Sequence, residues 1–128
     1  MIVLDSSVIL ATLLDEQGAA DIDVLIETQP CAVPITCVTE VLSRLMRSGM
    51  SLMRARTFFA ELEVAELPYD AAVRDATASL EGRTRTTGTG FVDRSCIATG
   101  IVHDSLIVTA DRNWERLDVP EADIRVIR

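Results

Sequence analysis

The chain has 128 residues, of which 48% are hydrophobic, and a formal net charge of −8. This length predicts a single domain, residues 1–128, that can bury a core without a disulfide or a structural metal, and the hydrophobic content excludes a disordered chain. The negative net charge argues against a general electrostatic attraction to nucleic acid.

Short apolar segments alternate with longer amphipathic segments along the chain. This pattern predicts strands at residues 2–4, 31–33, 64–67, 105–108 and 125–127, and helices from Ser6 onward and at residues 18–28, 35–47, 51–63, 69–82 and 92–102. The segment GRTRTTGTGFVD, residues 82–93, has the composition of a loop. A β-α-β-α order predicts a parallel sheet covered by helices, with sites beyond the carboxyl ends of its strands.

The opening stretch MIVLDSSVIL places one acid, Asp5, between two apolar runs. As an N-cap, its carboxylate would accept hydrogen bonds from the first turn of the helix that begins at Ser6. Alternatively it is paired with another group or binds a cation, because a buried carboxylate without a partner is costly. Residues elsewhere in the chain must decide between the two.

Three further acids lie in comparable positions. Asp111 follows the fourth predicted strand, Glu40 lies one turn into the helix after the second strand, and Asp93 opens the last predicted helix. Each of these acids also has a purely structural interpretation. Glu40 can form an ion pair with Arg44 one helical turn later. Asp93 can interact with the helix dipole, and Asp111 can cap the short helix after it. A carboxylate cluster at one rim of the sheet explains all of them together and predicts a Mg²⁺ site.

Cysteine usage and hydropathy bear on the cellular setting. Cys31, Cys37 and Cys96 form no CxxC pair and leave an odd residue, which is typical of small core residues in a reducing compartment. No segment has the ~20 apolar residues of a membrane span, and the N-terminus lacks the basic region of a signal peptide. We therefore expect a cytoplasmic protein without membrane contact.

The four acids lie within a spaced set of motifs, VLDSS, TEVLSRL, FVDRSCIATG and VTADRNWERL. This set resembles the PIN domain family and, within it, the VapC-type toxins of bacterial toxin–antitoxin pairs, over the span from Asp5 to Leu117. The resemblance implies a three-layer α/β/α sandwich with a central parallel sheet. It also implies a metal-dependent endoribonuclease that hydrolyses RNA with Mg²⁺, or with Mn²⁺ as a substitute.

The resemblance assigns roles to individual residues. The catalytic and metal-binding acids would be Asp5, Glu40, Asp93 and Asp111. Ser6 or Thr109 would orient an acid or hold a water on the metal. Arg112 would be structural or contact a phosphate.

The segment from Gly82 to Gly90 has two interpretations. It is a solvated loop, or it is a flexible phosphate clamp beside Asp93 in which Arg83 and Arg85 contact RNA. All twelve basic residues of the chain are arginines, and arginine suits bidentate contacts to phosphate.

Expected partners follow from the resemblance. They are an RNA substrate, with transfer RNA a frequent target, and a small VapB-type antitoxin that blocks the site. The helices between residues 35 and 63 also carry large apolar side chains: Met46, Met50, Met53, Phe58 and Phe59. We expect about half of these in the core and the others at a homodimer face or an antitoxin groove.

Other functional classes fit less well. A phosphoacceptor receiver domain relies on a lysine, and the chain has none. A haloacid-dehalogenase-like phosphatase also needs a second acid where Ser7 stands. His103 has no cysteine or histidine positioned with it for a zinc site, and no P-loop motif occurs. The remaining alternative is a non-catalytic PIN-like module that binds a metal or a protein partner without cutting RNA.

Overall fold

Five short parallel strands form the centre of the computed structural model, which describes residues 1–127. The strands are β1 (Ile2–Leu4), β2 (Cys31–Pro34), β3 (Ala65–Leu67), β4 (Leu106–Thr109) and β5 (Ile124–Val126). Their order in the sheet is β3-β2-β1-β4-β5, and every neighbouring pair is parallel. The sequence prediction of a parallel sheet is therefore confirmed.

Seven helices flank this sheet within the described residues. They are α1 (Ser6–Leu13), α2 (Ala19–Thr28), α3 (Ile35–Arg47), α4 (Leu52–Ala60), α5 (Ala71–Ser79), α6 (Glu81–Thr84) and α7 (Phe91–Val102). Two 3₁₀ turns follow α6 and β4, at Arg85–Thr87 and Arg112–Arg116. The layers form the α/β/α sandwich that the resemblance implied.

The order in which the chain adds strands to the sheet reverses at β1. From β1 the chain moves outward through β2 to β3, then returns to the other side of β1 as β4 and β5. Leu4 is paired with Val108, so β1 and β4 end side by side. In open parallel sheets this is the point where a crevice forms beyond the carboxyl ends of the strands. Asp5 is the first residue after β1 and lies in that position.

Helix α7 packs unusually close to β4. Residues 95–100 of α7 are all buried, and a Cβ atom added at Gly100 would lie 2.2 Å from Cγ1 of Ile107. Only glycine permits this approach without moving the Ile107 side chain. The close packing fixes α7 against the sheet and thereby positions Asp93 near its start.

The prediction of one helix over residues 69–82 is wrong. Helix α5 begins only after Asp70, whose carboxylate accepts a hydrogen bond of 3.0 Å from the Val73 N–H. It ends at Ser79, and α6 is a separate short helix. The capping group and the turn between the two helices interrupt an apolar spacing that is continuous in the sequence.

The predicted loop at residues 82–93 is also partly helical. It begins inside α6, continues through the 3₁₀ turn and ends in the first turn of α7, so only residues 88–90 lie outside helical structure. Gly88 has φ 72° and ends the helical part, because the left-handed region favours glycine. Helix α4 is shorter than predicted at its end, and Glu63 beyond it also has a positive φ of 52°.

Among residues 1–127, no helix combines the length and hydropathy required to cross a bilayer. The three cysteines are free thiols. Cys37 and Cys96 are buried and Cys31 is half-buried, in keeping with their predicted role as small core residues.

Candidate metal centre

Asp5 is buried at the end of β1, with 2% of its surface exposed. Asp5 occupies the N-cap position of α1, but its side chain makes none of the capping hydrogen bonds predicted for its carboxylate. Instead its Oδ2 atom accepts hydrogen bonds from Ser7 Oγ at 2.7 Å and from Thr109 Oγ1 at 2.9 Å. Burial raises the pKa of Asp5, these two hydrogen bonds oppose the rise, and the charge of Glu40 adds to it.

The two hydroxyl groups that hold Asp5 are themselves held by the backbone after β4. Ser7 Oγ accepts from the Ala110 N–H at 2.9 Å, and Thr109 Oγ1 accepts from the Asp111 N–H at 3.1 Å. Each hydroxyl has one hydrogen to donate, and both hydrogens are directed to Asp5. Ser7 is not among the site residues predicted from the sequence. The available signal was its position two residues after an acid, a common site for local side-chain hydrogen bonds.

Glu40 approaches the same crevice from α3. Its Oε1 atom accepts a short hydrogen bond from Ser6 Oγ. Because Ser6 has a single hydroxyl hydrogen, its contact of 3.5 Å with Asp5 Oδ1 is secondary. Within residues 1–127, Glu40 forms no ion pair with Arg44, so the structure does not support the helix-pair interpretation.

Asp93 lies in the first turn of α7. Its Oδ2 atom accepts a hydrogen bond of 3.3 Å from the Gly90 N–H. The pKa of Asp93 is raised to about 6, first by burial and next by the negative charge of Asp5. The charges of Glu40 and Asp111 add smaller increments, and the Gly90 hydrogen bond lowers it. Asp93 therefore interacts electrostatically with all three of the other acids.

Asp111 follows β4 and combines two roles. Its Oδ1 atom accepts from the Asn113 N–H at 2.9 Å, so the predicted helix cap is present. Its backbone N–H binds Thr109, and its charge acts on Asp93. A capping contact and a place in the acidic group are thus compatible for this residue.

The four acids are close enough for three of them to act electrostatically on Asp93, but they do not form a closed ligand shell. In the described part of the chain, no three of the four carboxylates offer oxygen atoms within 4.8 Å of one another. The group that meets this criterion is Asp5 with Cys37 and Cys96. A hydrogen bond with Cys37 and burial raise the pKa of Cys96, so this thiol stays protonated and is a poor ligand for a hard cation.

The carboxylates themselves fit a hard divalent cation. Mg²⁺ prefers oxygen ligands and keeps several waters, so it does not require a complete shell of protein atoms. After burial, the negative charges of its acidic neighbours also raise the pKa of Asp93, so the acids repel one another. A cation would relieve this repulsion.

The predicted phosphate-binding arginines occupy different settings. The Arg83 guanidinium forms a bidentate ion pair with Glu121, and it donates a hydrogen bond of 3.2 Å to the Asp118 carbonyl oxygen. Arg85 is exposed in the 3₁₀ turn after α6, and Arg112 is exposed directly after Asp111. Contact of these residues with RNA stays a prediction.

A parallel sheet between helical layers, with the buried Asp5 and three half-buried acids near the point where its strand order reverses, defines an α/β protein with an acidic site suited to a cation. Residues 2–120 match the sequence model of the PIN domain family, and the chain belongs to this family. The search of curated proteins gave no significant match.

Solved structures share this fold at low sequence identity. One such structure is VapBC2 from Rickettsia felis bound to a DNA fragment from its promoter. A chain of it is 14% identical to this protein, with a TM-score of 0.77 and coverage of 100% of both chains. A chain of DNA-bound VapBC from Salmonella typhimurium is 16% identical, with a TM-score of 0.75 and coverage of 98% of this chain and 96% of that one. For VapBC-5, a toxin–antitoxin system from Mycobacterium tuberculosis, the identity is 20%, the TM-score 0.61 and the coverage 98% and 96%.

Proposed function

We propose that the protein is a metal-dependent endoribonuclease of the VapC type. The observation that carries the proposal is the electrostatic coupling at Asp93, whose pKa of about 6 reflects burial and the charges of Asp5, Glu40 and Asp111. Strongly shifted titratable groups in a crevice are typical of functional sites. Membership of the PIN domain family adds to this argument.

The proposed reaction is hydrolysis of an RNA phosphodiester bond. The residues that would hold Mg²⁺, or Mn²⁺ in its place, are Asp5, Glu40, Asp93 and Asp111. A cation held there supplies charge that polarises a phosphoryl oxygen and acidifies a water. Ser7 and Thr109 hold Oδ2 of Asp5, which leaves its Oδ1 atom, with contacts of 3.5 Å and longer, as the oxygen better suited to a cation.

The test is cleavage of RNA by purified protein with Mg²⁺, with Mn²⁺ and with EDTA. We expect cleavage with either metal and none with EDTA. Asp5→Asn and Asp93→Asn keep the size of each side chain and should abolish cleavage without loss of the fold. Asp21→Asn, which neutralises an exposed acid on α2, is the matched control and should cut at the wild-type rate. Equal cleavage in EDTA, or full activity of Asp93→Asn, would contradict the proposal.

One observation favours a second candidate, a binding module that does not cut RNA. The four carboxylates do not close to within 4.8 Å as a set of three or more, as a preformed metal shell would. A protein that binds Mn²⁺, shown by a rise in its melting temperature, but leaves RNA intact would be such a module.

Partners and setting are also proposals. The three similar structures described above belong to complexes named VapBC, which supports a small VapB-type antitoxin that blocks the acidic site. Transfer RNA as substrate follows from the family resemblance, and a cytoplasmic location follows from the cysteine usage of the sequence. Coexpression with the product of a small neighbouring reading frame should give a stable complex in which cleavage is inhibited.

A homodimer is the remaining proposal on assembly. Phe59 is buried and Phe58 and Met50 are half-buried, whereas Met46 and Met53 are exposed, close to the expected division. Light scattering of the isolated chain measures its mass directly. A monomeric mass across the micromolar range would contradict a homodimer.

A further inference from the structure

A groove of about 340 Å³ leads away from the acidic crevice along α3. Glu40 lies in its wall together with Arg44 and Arg47 of the same helix. Leu10 of α1 and Val92, the neighbour of Asp93, complete the opposite side. The groove therefore begins at Glu40, one acid of the candidate metal centre, and continues past two arginines.

The spacing of these residues places them on one helical face. Arg44 and Arg47 follow Glu40 by four and seven residues, which is about 6 Å and about 10 Å along the axis of an α-helix. Val41 and Leu45, on the adjoining face, are buried in the core. Because the core fixes the rotation of α3, both guanidinium groups stay on the groove side of the helix.

The two arginines in this groove have no acidic partner among the described residues. Arg44 and Arg47 are exposed, and neither forms an ion pair within residues 1–127. By contrast, Arg74, Arg83 and Arg94 each pair with an acid. In a chain with 20 acidic and 12 basic residues, two neighbouring arginines without an acidic partner are available for an anionic ligand.

We propose that this groove binds the RNA backbone, and that Arg44 and Arg47 contact phosphates next to the one that is cleaved. The inference rests on the proposed ribonuclease function and names the substrate path of that site. Arginine matches phosphate in a bidentate geometry. The order Glu40, Arg44, Arg47 places the contacts successively farther from the metal centre, as a strand leaving it requires.

The net charge of −8 does not prevent this protein from binding RNA, which is a polyanion. Overall repulsion is screened within about 8–10 Å at physiological ionic strength, so local contacts decide the binding. An acidic peptide segment would match the two arginines as well, but it does not account for the continuity of the groove with the metal centre.

The test measures RNA binding separately from cleavage. All variants are made in the Asp93→Asn background, and binding of a fluorescent single-stranded RNA is titrated at several salt concentrations. Arg44→Ala with Arg47→Ala should raise Kd on the order of tenfold or more. It should also reduce the slope of log K against log salt by about 1.4, since each phosphate contact to a single strand contributes about 0.7.

The matched control is Arg54→Ala with Arg56→Ala, which removes the same charge from exposed positions on α4. It should leave Kd within about twofold of its parent. Arg44→Lys with Arg47→Lys keeps the charge, so it should retain the salt slope while losing part of the affinity.

The outcomes separate this inference from the proposed function. If the protein does not cut RNA but the α3 variant alone loses binding and salt slope, the groove is supported and the nuclease proposal fails. If the protein cuts RNA and the α3 variant binds like the control pair, the groove inference is overturned. It is also overturned if hexaglutamate binding depends on Arg44 and Arg47 while RNA binding does not.

Discussion

Thr109 Oγ1 donates a hydrogen bond of 2.9 Å to Asp5 Oδ2, and the two residues are separated by 104 positions in the chain. The bond joins the ends of β1 and β4, the neighbouring strands at which the strand order of the sheet reverses. Thr109 is fully buried and also accepts the Asp111 N–H. One hydroxyl group thus orients one acid and positions the backbone of another.

We expect Thr109→Val to weaken metal binding without unfolding the protein. Valine keeps the shape but leaves Asp5 without one donor and the Asp111 N–H without its acceptor, at a cost of about 1–3 kcal/mol. Loss of a group that orients a ligand usually lowers metal affinity or activity about 10–100-fold. The Mg²⁺ concentration for half-maximal cleavage should rise, and Thr109→Ser should restore it.

Thr77→Val is the control for Thr109→Val. Thr77 is equally buried, but its hydroxyl donates only to the Val73 carbonyl within α5. Its removal should leave the Mg²⁺ dependence unchanged. A Thr109→Val protein with the metal response of Thr77→Val would exclude a positioning role for Thr109.

The metal-free protein should lose stability as pH rises toward neutrality. The pKa of Asp93 is about 6 in the folded state and 3.8 in the reference state. A carboxyl group with a raised folded pKa favours folding below the lower value, and this contribution is lost as pH rises through the folded pKa. Solvent screening reduces the effect to about 1 kcal/mol, or about 3–5 °C in Tm. The raised pKa of Asp5 acts in the same direction.

Thermal melting in EDTA at pH 5 and pH 7.5 measures this effect. Asp93→Asn should melt higher than wild type at pH 7.5 and show a smaller difference between the two pH values. Addition of Mg²⁺ should raise the wild-type Tm at pH 7.5, because the cation binds the folded state. Glu27→Gln, at an exposed position on α2, serves as the control for loss of one charge. The same pH dependence in Asp93→Asn as in wild type would contradict the prediction.

Arg83 and Arg85 should respond differently to substitution. Arg83 is paired with Glu121, so Arg83→Ala should slightly lower Tm, and Glu121→Ala should lower it by a similar amount. Arg85 is exposed in the neighbouring turn, and Arg85→Ala should reduce RNA binding and the salt slope by about 0.7 with Tm unchanged. Binding titrations across a salt series, with melting curves of the same proteins, check both expectations. Unchanged RNA binding by Arg85→Ala would leave this segment as a solvated surface turn.

Gly100→Ala should destabilise the fold. The added Cβ would lie 2.2 Å and 2.3 Å from the Cγ1 and Cδ1 atoms of the buried Ile107 side chain, and overpacking of a core costs about 1–3 kcal/mol. Gly82→Ala is the control, since nothing lies within 4 Å of its added Cβ. Chemical denaturation should show a lower midpoint for Gly100→Ala only. Equal midpoints for the two variants would mean that α7 can move away from β4 at little cost.

The sequence by itself determined the layer architecture and the positions of its acids along the chain. Alternating apolar segments predicted the parallel sheet, because each strand and helix carries its periodicity locally. The predicted strands before Asp5 and before Asp111 are both present, within one residue of their expected bounds. Local composition could not locate the breaks at Asp70 and Ser79, where a capping contact and a turn outweigh the helical spacing.

Only the tertiary structure decided which side chains meet. Thr109 holds Asp5 across the ends of β1 and β4, and Ser6 of α1 holds Glu40 of α3. No local pattern specifies these two partners, because they depend on how distant elements pack, whereas the contact of Ser7 with Asp5 is local. The same is true of the Ser7 hydroxyl, whose oxygen accepts a hydrogen bond from the Ala110 N–H just after β4. The raised pKa of Asp93 likewise arises from burial and from charges on separate elements. Such terms follow from distances in three dimensions, so they exist only after the strand order has placed distant parts of the chain side by side.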